Sequence, residues 1–201
     1  MRGATGRVAH RYRLLTLGRM TAPAPALGTL TTVPALDRPD LLAPSVRAAL
    51  EGWAGADRVG VVEIDPDRAD PAALTEASDL PLEASANCVV VSGKRAGEER
   101  LAACVVRADT RADVNNLVKR TLDVRKASFH PMDRAVEETG MEYGGITPVG
   151  LPAGWRLLVD AAVVDIDVAI IGSGVRRSKL LLPGALLAEL PGAEVVEGLA
   201  G

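Results

Sequence analysis

The sequence predicts an α/β protein, with helices flanking a β-sheet. Val-rich runs such as 59–64 alternate with Ala- and Leu-rich runs such as 44–54, which is typical of strands alternating with helices. Hydrophobic residues make up 48% of the 201 residues and aromatic residues only 2%, so we expect a sizeable core of Val, Leu, Ile and Ala. This length favours one domain, which we place at 26–201.

The first 25 residues are predicted to form a disordered basic tail, interrupted by Pro23 and Pro25. Its charge comes from arginines without any acidic residue up to position 20: Arg2, Arg7, Arg11, Arg13 and Arg19. The whole chain has a net charge of −3, so contact with nucleic acid would need a local basic patch. Two interpretations of the tail stay open: an arm that touches nucleic acid, or a segment upstream of a true start at Met20.

Three elements are expected between the tail and residue 80. A helix over 44–54 begins at a proline, which suits a first turn, and ends at Gly55. A strand follows over 59–64. A short helix over 71–78 has Asp70 as its N-cap.

A β-hairpin and a helix are expected next. The strands cover 87–92 and 100–107, and the helix covers 111–121 with Asp109 or Thr110 as its N-cap. Four cations then lie close together: Lys119, Arg120, Arg125 and Lys126. They fit either a solvated helix end, where the helix dipole favours cations, or a phosphate-binding patch.

Strands and helices are also predicted to alternate in the second half of the chain. Strands are predicted at 126–129, 156–159, 168–171 and 194–196, and helices at 131–140 and 183–190.

The segment 141–152 is the most distinctive stretch, since three glycines and two prolines fall within 144–152. Neither a helix nor a strand tolerates that density. Glycine allows close approach of the backbone, and the N–H groups of Gly145, Ile146 and Thr147 are expected to be free to face a ligand, as in anion-binding nests. A structural crossover loop is the alternative interpretation.

A second glycine turn, Gly172-Ser173-Gly174, directly follows a predicted buried strand. It matches neither a Walker loop nor a dinucleotide-binding fingerprint. The Gly-x-Ser-x-Gly pattern of serine hydrolases is absent from the sequence, and we interpret His130 as structural. These turns are therefore the candidate ligand sites.

Cofactors and membranes are not expected. Two cysteines and two histidines offer no zinc-binding spacing, so we predict neither a metal nor a cofactor. Cys88 and Cys104 lie in strand-like runs and are predicted to be buried free thiols, which fits a cytoplasmic protein. No apolar run approaches about 20 residues, the length that spans a bilayer.

The order of these pieces resembles the YbaK family, also called the prolyl-tRNA-synthetase-associated editing domain. The similarity spans about 45–199 and rests on Thr139-Gly140 followed by the block over 144–150, with support from the turn over 172–174. The resemblance implies a mixed β-sheet, curved towards a barrel and flanked by helices. It also implies a trans-acting deacylase that hydrolyses the ester of a mischarged tRNA, with the aminoacylated acceptor end, and no DNA, as its partner.

The resemblance also implies the site residues. The catalytic group is Gly144, Gly145, Thr147, Pro148 and Asn87. The substrate-binding group is Cys88, Ile146, Gly150, Gly172, Ser173, Gly174, Arg176 and Lys179. We expect the two glycine turns to face each other across a small cleft, where backbone donors stabilise the developing oxyanion and pocket size selects the amino acid.

One residue departs from the family pattern. Asn87 stands where members with well-understood editing carry a lysine, and an amide supplies no charge. Either Asn87 alters specificity, or Lys94, Arg176 or Lys179 supplies the charge, or the protein only binds aminoacyl-tRNA or a small aminoacyl-like ligand. A purely structural interaction domain is a third interpretation. The sequence identifies neither the amino acid, nor the tRNA, nor the oligomeric state.

Overall fold

The computed structural model describes residues 24–201. The predicted basic tail lies outside the described residues, apart from its last two positions. The division into a tail and one domain over 26–201 therefore stays a prediction.

Nine strands form two sheets within residues 24–201. In chain order they are β1 (Val33–Pro34), β2 (Gly60–Glu63), β3 (Ala86–Arg95), β4 (Glu98–Arg107), β5 (Ala127–Phe129), β6 (Arg156–Asp160), β7 (Ala169–Gly172), β8 (Ser178–Leu182) and β9 (Ala193–Val196). The antiparallel four-stranded sheet has the order β1-β2-β8-β7, and the mixed five-stranded sheet has the order β5-β3-β4-β6-β9. The mixed α/β fold is thus confirmed. Because these strands form two sheets and no closed barrel, the predicted barrel-like curvature is not confirmed.

The β3–β4 hairpin is the longest pairing of the five-stranded sheet. Its antiparallel register ends with Arg95 opposite Glu98. Ala96 (φ 51°) and Gly97 (φ 88°) make a two-residue turn, and such left-handed conformations match the twist of a hairpin. The predicted strands over 87–92 and 100–107 were too short at the turn, because the exposed ends of both strands carry charged residues instead of an apolar alternation.

Backbone pairing joins the two sheets at one place. Ser85, just before β3, forms an isolated parallel bridge with Ile170 of β7. Beyond this bridge the strands diverge, since β3 pairs with β4 and β5 whereas β7 pairs with β8. Backbone pairing therefore leaves a gap between the sheets, and this gap positions the candidate site.

Helices connect the strands. The α-helical segments are α1 (Pro44–Glu51), α2 (Pro71–Ser78), α3 (Lys119–Thr121), α4 (Met132–Thr139) and α5 (Ala161–Val164). A π-helical turn at Val114–Val118 precedes α3, and a 3₁₀ helix at Gly184–Glu189 occupies the predicted helix near the C-terminus. Helix α2 has the predicted bounds and the predicted cap, because the Asp70 carboxylate accepts a hydrogen bond from the Ala72 N–H at 3.0 Å. Helix α1 ends earlier than predicted, since Gly52 and not Gly55 follows its last residue.

The predicted cap of the helix over 111–121 is wrong. Asp113 is the N-cap, and its carboxylate accepts two backbone N–H bonds from the following turn. Asp109 instead pairs with the guanidinium of Arg107, and the Thr110 hydroxyl donates to the Arg107 carbonyl at 3.0 Å. Both predicted caps thus stabilise the end of β4.

The sequence did not predict strand β8, although all of its residues are buried. Lys179 lies within it, and Arg176 and Arg177 come just before it. Lys179 interrupts the run of apolar residues in this strand, which explains why the apolar pattern did not reveal it.

The core is aliphatic, as predicted. The largest cluster of buried side chains draws on α1 and on both sheets, with Val46, Val105, Ile171 and Leu180 among its members. No aromatic side chain is among the buried hydrophobic residues of the described part of the chain.

Candidate functional site

A pocket of about 320 Å³ opens where the two sheets diverge. Its lining comes from the start of β3, the end of β7, helix α2 and the glycine loops. Seven of the predicted site residues line it: Asn87, Cys88, Gly144, Ile146, Gly172, Arg176 and Lys179. The fold therefore brings residues from distant parts of the sequence to one cavity.

The two glycine turns contact each other directly. The Gly174 N–H donates to the Gly145 carbonyl at 2.8 Å, and the Glu142 N–H donates to the Gly174 carbonyl at 2.8 Å. A Cβ atom at Gly172 would overlap the Gly145 carbonyl oxygen, which explains the glycine at that position. The expectation that the turns face each other across a cleft is wrong. They pack together and contribute Gly144 and Gly172 to one lining.

Some backbone N–H groups of the glycine-rich segment 141–152 already donate hydrogen bonds within the protein. The Gly145 N–H donates to the Glu142 carbonyl at 2.9 Å, so this amide is not free as expected. Within residues 24–201, the N–H groups of Gly144 and Ile146 have no acceptor at hydrogen-bonding distance, and both residues line the pocket. Among the residues of this turn that line the pocket, these two therefore have backbone N–H groups that are not bonded within the described residues.

Lys179 is the buried cation of the pocket. It lies on β8 between Val62 of β2 and Gly172 of β7 and is only 7% exposed. Its ammonium has no hydrogen-bond acceptor or paired carboxylate among the described residues. Burial and, to a lesser degree, the charge of Arg176 lower the pKa of Lys179 to about 8 against the opposing effect of Asp70. A largely buried cation without a carboxylate partner is unfavourable, so the arrangement favours a ligand oxygen beside it.

Asn87 and Cys88 reach the same pocket from β3. Both cysteines are free, as predicted, with Cys104 buried and Cys88 half-buried. Loss of water around the Cys88 thiol raises its pKa above the usual range, so Cys88 is a poor nucleophile at neutral pH. Of the cations considered as substitutes for the family lysine, Lys94 is exposed on the hairpin and does not line the pocket.

Sequence reasoning missed Ser85. This residue is 3% exposed, it lines the pocket, and its hydroxyl oxygen has no hydrogen-bond partner within residues 24–201. An unpartnered buried hydroxyl is unfavourable unless a ligand or water satisfies it. A lone serine before a strand gives no signal in the sequence, and only the Ser85–Ile170 bridge reveals its place.

Arg176 and Tyr143 form the rim of the pocket. The Arg176 guanidinium lies 5.9 Å from the centre of the Tyr143 ring, a cation–π distance. The Arg176 Nε donates to the Pro66 carbonyl at 3.0 Å, and its backbone N–H donates to the Glu142 carboxylate at 2.6 Å. These bonds hold the guanidinium at the pocket mouth.

Several predicted site residues do not line the pocket: Gly145, Thr147, Pro148, Gly150, Ser173 and Gly174. Thr147 is fully buried, and its hydroxyl has no partner among the described residues. Ser173 is also fully buried, with its Oγ 2.7 Å from the Ser178 Oγ. Neither side chain lines the cavity, and the Ser173 hydroxyl bonds within the protein instead.

The other residues outside the pocket have packing roles. Pro148 and Gly150 line a separate depression beside Trp53 and Trp155. A Cβ atom at Gly150 would overlap the Ser45 carbonyl at the start of α1. Direct contact with a ligand in the first pocket is therefore not supported at these positions.

The described residues contain neither a candidate membrane-spanning helix nor a candidate metal site. No α-helix there is long and apolar enough to cross a bilayer. No group of three or more His, Cys, Asp and Glu side chains there is arranged to hold a metal ion.

The sequence matches the family model of the aminoacyl-tRNA editing domain over residues 65–190. This match covers more than half of the chain and includes the whole pocket lining. The chain therefore belongs to the aminoacyl-tRNA editing domain family, and the resemblance to the YbaK family is confirmed. A search of curated proteins finds no significant match.

Solved structures share the fold. A candidate trans-editing enzyme for prolyl tRNA synthetase has a TM-score of 0.65 and 22% identity, over 78% of this chain and 97% of that one. A scaffold protein for presentation of a linear epitope has a TM-score of 0.65 and 21% identity over the same shares. A hypothetical protein has a TM-score of 0.62 and 22% identity, over 70% of this chain and 90% of that one. At such identities the similarity shows the fold alone.

Proposed function

We propose that this protein is a trans-acting aminoacyl-tRNA deacylase, which hydrolyses the ester between a wrong amino acid and the terminal ribose of a tRNA. One observation carries the proposal. At the junction of the sheets, a pocket is lined by residues with polar groups that have no partner within residues 24–201: the Ser85 hydroxyl, the Lys179 ammonium and the amides of Gly144 and Ile146. Membership of the editing-domain family supports the same assignment.

These groups suit ester hydrolysis. When water adds to the ester carbonyl carbon, the carbonyl oxygen gains negative charge. The Lys179 side chain, which is only 7% exposed, and the two free amides would stabilise that charge. The tetrahedral intermediate then breaks its bond to the ribose oxygen, which takes up the proton lost by the attacking water. The products are a free amino acid and a tRNA with its ribose hydroxyl restored.

The size of the pocket suits discrimination among small amino acids. A volume of about 320 Å³ lies at the lower end of the range for ligand sites. Leu74, Ile146 and Ile171 supply apolar lining for a side chain. Larger side chains would be excluded by size, which is how an editing site acts as a second sieve.

A binding module of the same family is the second candidate function. It would hold a charged tRNA end or an aminoacyl-like ligand without hydrolysing it. Two observations favour it: the Gly145 amide is already bonded within the protein, and Asn87 supplies no charge. The first leaves the oxyanion with fewer amide donors than the sequence indicated, and the second removes the charge that the family pattern implies.

A deacylation panel tests the proposal. The wild-type protein, Lys179→Met and Asn87→Lys are assayed on tRNAs mischarged with Ala, Ser, Thr or Pro. We expect the wild type to accelerate hydrolysis of at least one, and Lys179→Met to lose that acceleration. If the wild type accelerates none but binds an aminoacyl-adenosine analogue, the binding module replaces the enzyme. Gly145 is a poor test position, because a Cβ atom there would lie 2.8 Å from the backbone of Val175 and disturb the loop.

A further inference from the structure

One carboxylate side chain lines the pocket among the described residues, that of Asp70. Asp70 is the N-cap of helix α2, and its Oδ1 accepts a hydrogen bond from the Ala72 N–H at 3.0 Å. Within residues 24–201, its Oδ2 has no donor at hydrogen-bonding distance. The cap therefore uses one oxygen of this carboxylate and leaves the other unused.

Asp70 and Lys179 line the same pocket without forming an ion pair. The Lys179 ammonium has no carboxylate oxygen within 4.0 Å among the described residues. Burial is the main cause of the lowered pKa of Lys179, and the charge of Asp70 acts against it, so the carboxylate is near enough to influence the ammonium. The pocket thus offers an anionic acceptor and a largely buried cation at two separate positions.

Two buried groups indicate that this pocket holds a ligand. The Ser85 hydroxyl is 3% exposed and has no partner within residues 24–201, and the Lys179 side chain is 7% exposed. Polar groups buried to this degree are normally satisfied, and here the protein does not satisfy them. These observations are independent of the role of Asp70 as a helix cap.

An aminoacyl ester complements both charges of the pocket. Its α-ammonium is positive, and its carbonyl oxygen, two carbon atoms away, has a partial negative charge that grows during hydrolysis. Hydrogen bonds of an ammonium to a carboxylate, or of the Lys179 ammonium to such an oxygen, are charge-assisted and strong.

We propose that the Asp70 carboxylate binds the α-ammonium of the aminoacyl group, so that the pocket selects esters with a free amino group. This inference rests on the proposed function, because it assumes that the aminoacyl group enters the pocket with its carbonyl oxygen beside Lys179. It narrows the substrate class: esters whose amine is blocked, or replaced by a neutral group, are poor ligands.

The other charges of the pocket make such a carboxylate necessary. Arg176 and Lys179 both line the pocket and are both cations, so they repel an ammonium. Without the charge of Asp70, the pocket would favour a neutral acyl group over an aminoacyl group.

A capping role alone is the competing explanation. Asp70 is exposed, and an aspartate at an N-cap needs no ligand. Asparagine caps a helix about as well as aspartate does, so Asp70→Asn removes the charge and keeps the cap. This variant therefore separates the two roles.

Two non-hydrolysable analogues of aminoacyl-adenosine separate charge from shape. Both carry an amide in place of the ester at the ribose 3′ position. One bears an alanyl group, and the other bears a lactyl group, in which a hydroxyl replaces the ammonium. Above about pH 7 only the lactyl analogue isolates the titration of Lys179, because its hydroxyl keeps the same charge while an α-amino group loses its proton.

Isothermal titration calorimetry at about pH 6.5 compares the two analogues, since the α-ammonium and the Lys179 ammonium are both protonated there. We expect the wild type to bind the alanyl analogue about tenfold more tightly than the lactyl analogue, the effect of one hydrogen bond to a charged group. Asp70→Asn should lose this preference and keep the wild-type affinity for the lactyl analogue.

Asp113→Asn is the matched control. Asp113 is also an N-cap, its carboxylate accepts the Asn116 N–H at 3.0 Å, and it does not line this pocket. This variant should keep the tenfold preference. Both variants should keep the wild-type melting temperature, which verifies that the caps are intact.

The outcomes are separable from those of the deacylation panel. A preference that Asp70→Asn loses and Asp113→Asn keeps supports the inference even if no tRNA is deacylated. Equal affinity of the wild type for both analogues, or a preference that survives in Asp70→Asn, overturns it even if deacylation is observed. Failure of both analogues to bind also overturns it, and the panel, which uses whole tRNAs, then judges the enzyme on its own.

Discussion

Lys179 and Asn87 belong to different sheets, yet both line one pocket. Lys179 lies on β8 of the four-stranded sheet and Asn87 on β3 of the five-stranded sheet. Asn87 occupies the position at which the family resemblance implies a lysine. Lys179 supplies a positive charge to the pocket from strand β8 instead. Its side chain is largely buried and has no carboxylate partner among the described residues.

Replacing Lys179 by methionine should separate function from stability. Methionine keeps the length of the side chain but removes the charge, so we expect deacylation to fall about a hundred- to a thousandfold, as for the loss of one oxyanion donor. The melting temperature should stay the same or rise, because a desolvated charge is removed. Single-turnover deacylation and thermal unfolding measure the two effects.

Two further variants control that result. Lys94→Met removes an exposed cation outside the pocket and should leave deacylation unchanged. Asn87→Lys added to Lys179→Met returns a charge to the cavity from β3 and should restore part of the activity. If Lys179→Met is fully active, the buried cation has no part in the reaction.

The pKa of Lys179 predicts a pH dependence of folding. Because burial lowers this pKa from 10.5 to about 8, the unfolded chain binds more protons than the folded one between these values. Stability relative to Lys179→Met should therefore rise with pH across that window, by about 3 kcal/mol in total. Urea unfolding of both proteins between pH 7.5 and 10.5 measures the difference. A flat difference would show that Lys179 titrates as an exposed lysine does.

Ligand affinity should respond to pH in the opposite direction. Above pH 8 the Lys179 ammonium loses its proton, and with it the attraction for an ester or phosphate oxygen. Affinity for a non-hydrolysable aminoacyl-adenosine analogue should fall towards higher pH in the wild type, while Lys179→Met should show no such fall. Isothermal titration calorimetry at pH 7 and pH 9.5 compares them.

Sequence patterns predicted most of the elements but not how they join. The hairpin, helix α2 and its Asp70 cap follow from local rules, because apolar alternation and capping act within a few residues. The bridge between Ser85 and Ile170 joins two strands that are distant in sequence, and no local pattern marks it. The pocket depends on that bridge, so its position could not be predicted from periodicity.

The difference between local sequence patterns and long-range packing also explains the wrong predictions at the site. Seven pocket residues were predicted because the family pattern places glycines and cations there. Gly145 and Ser173 were assigned to the ligand because their residue types suit backbone or hydroxyl donors. Their hydrogen bonds with Glu142 and Ser178 depend on how the two turns pack together. The sequence of each turn does not predict that packing.

Two buried serines should respond differently to replacement by alanine. The Ser173 Oγ lies 2.7 Å from the Ser178 Oγ and 3.1 Å from the Val175 carbonyl oxygen, so Ser173→Ala should lower the free energy of unfolding by about 1–3 kcal/mol. The Ser85 hydroxyl has no partner within residues 24–201, so Ser85→Ala should leave stability unchanged or slightly higher. Chemical denaturation of the two variants measures this contrast.

For ligand binding, Ser85→Ala should have a larger effect than Ser173→Ala. If the Ser85 hydroxyl donates to the ligand, Ser85→Ala should weaken binding of the aminoacyl-adenosine analogue about tenfold, the effect of one lost hydrogen bond. Ser173→Ala should change affinity less, once assayed well below its lowered melting temperature, because Ser173 does not line the pocket. Unchanged affinity in Ser85→Ala would mean that water, and not the ligand, satisfies this hydroxyl.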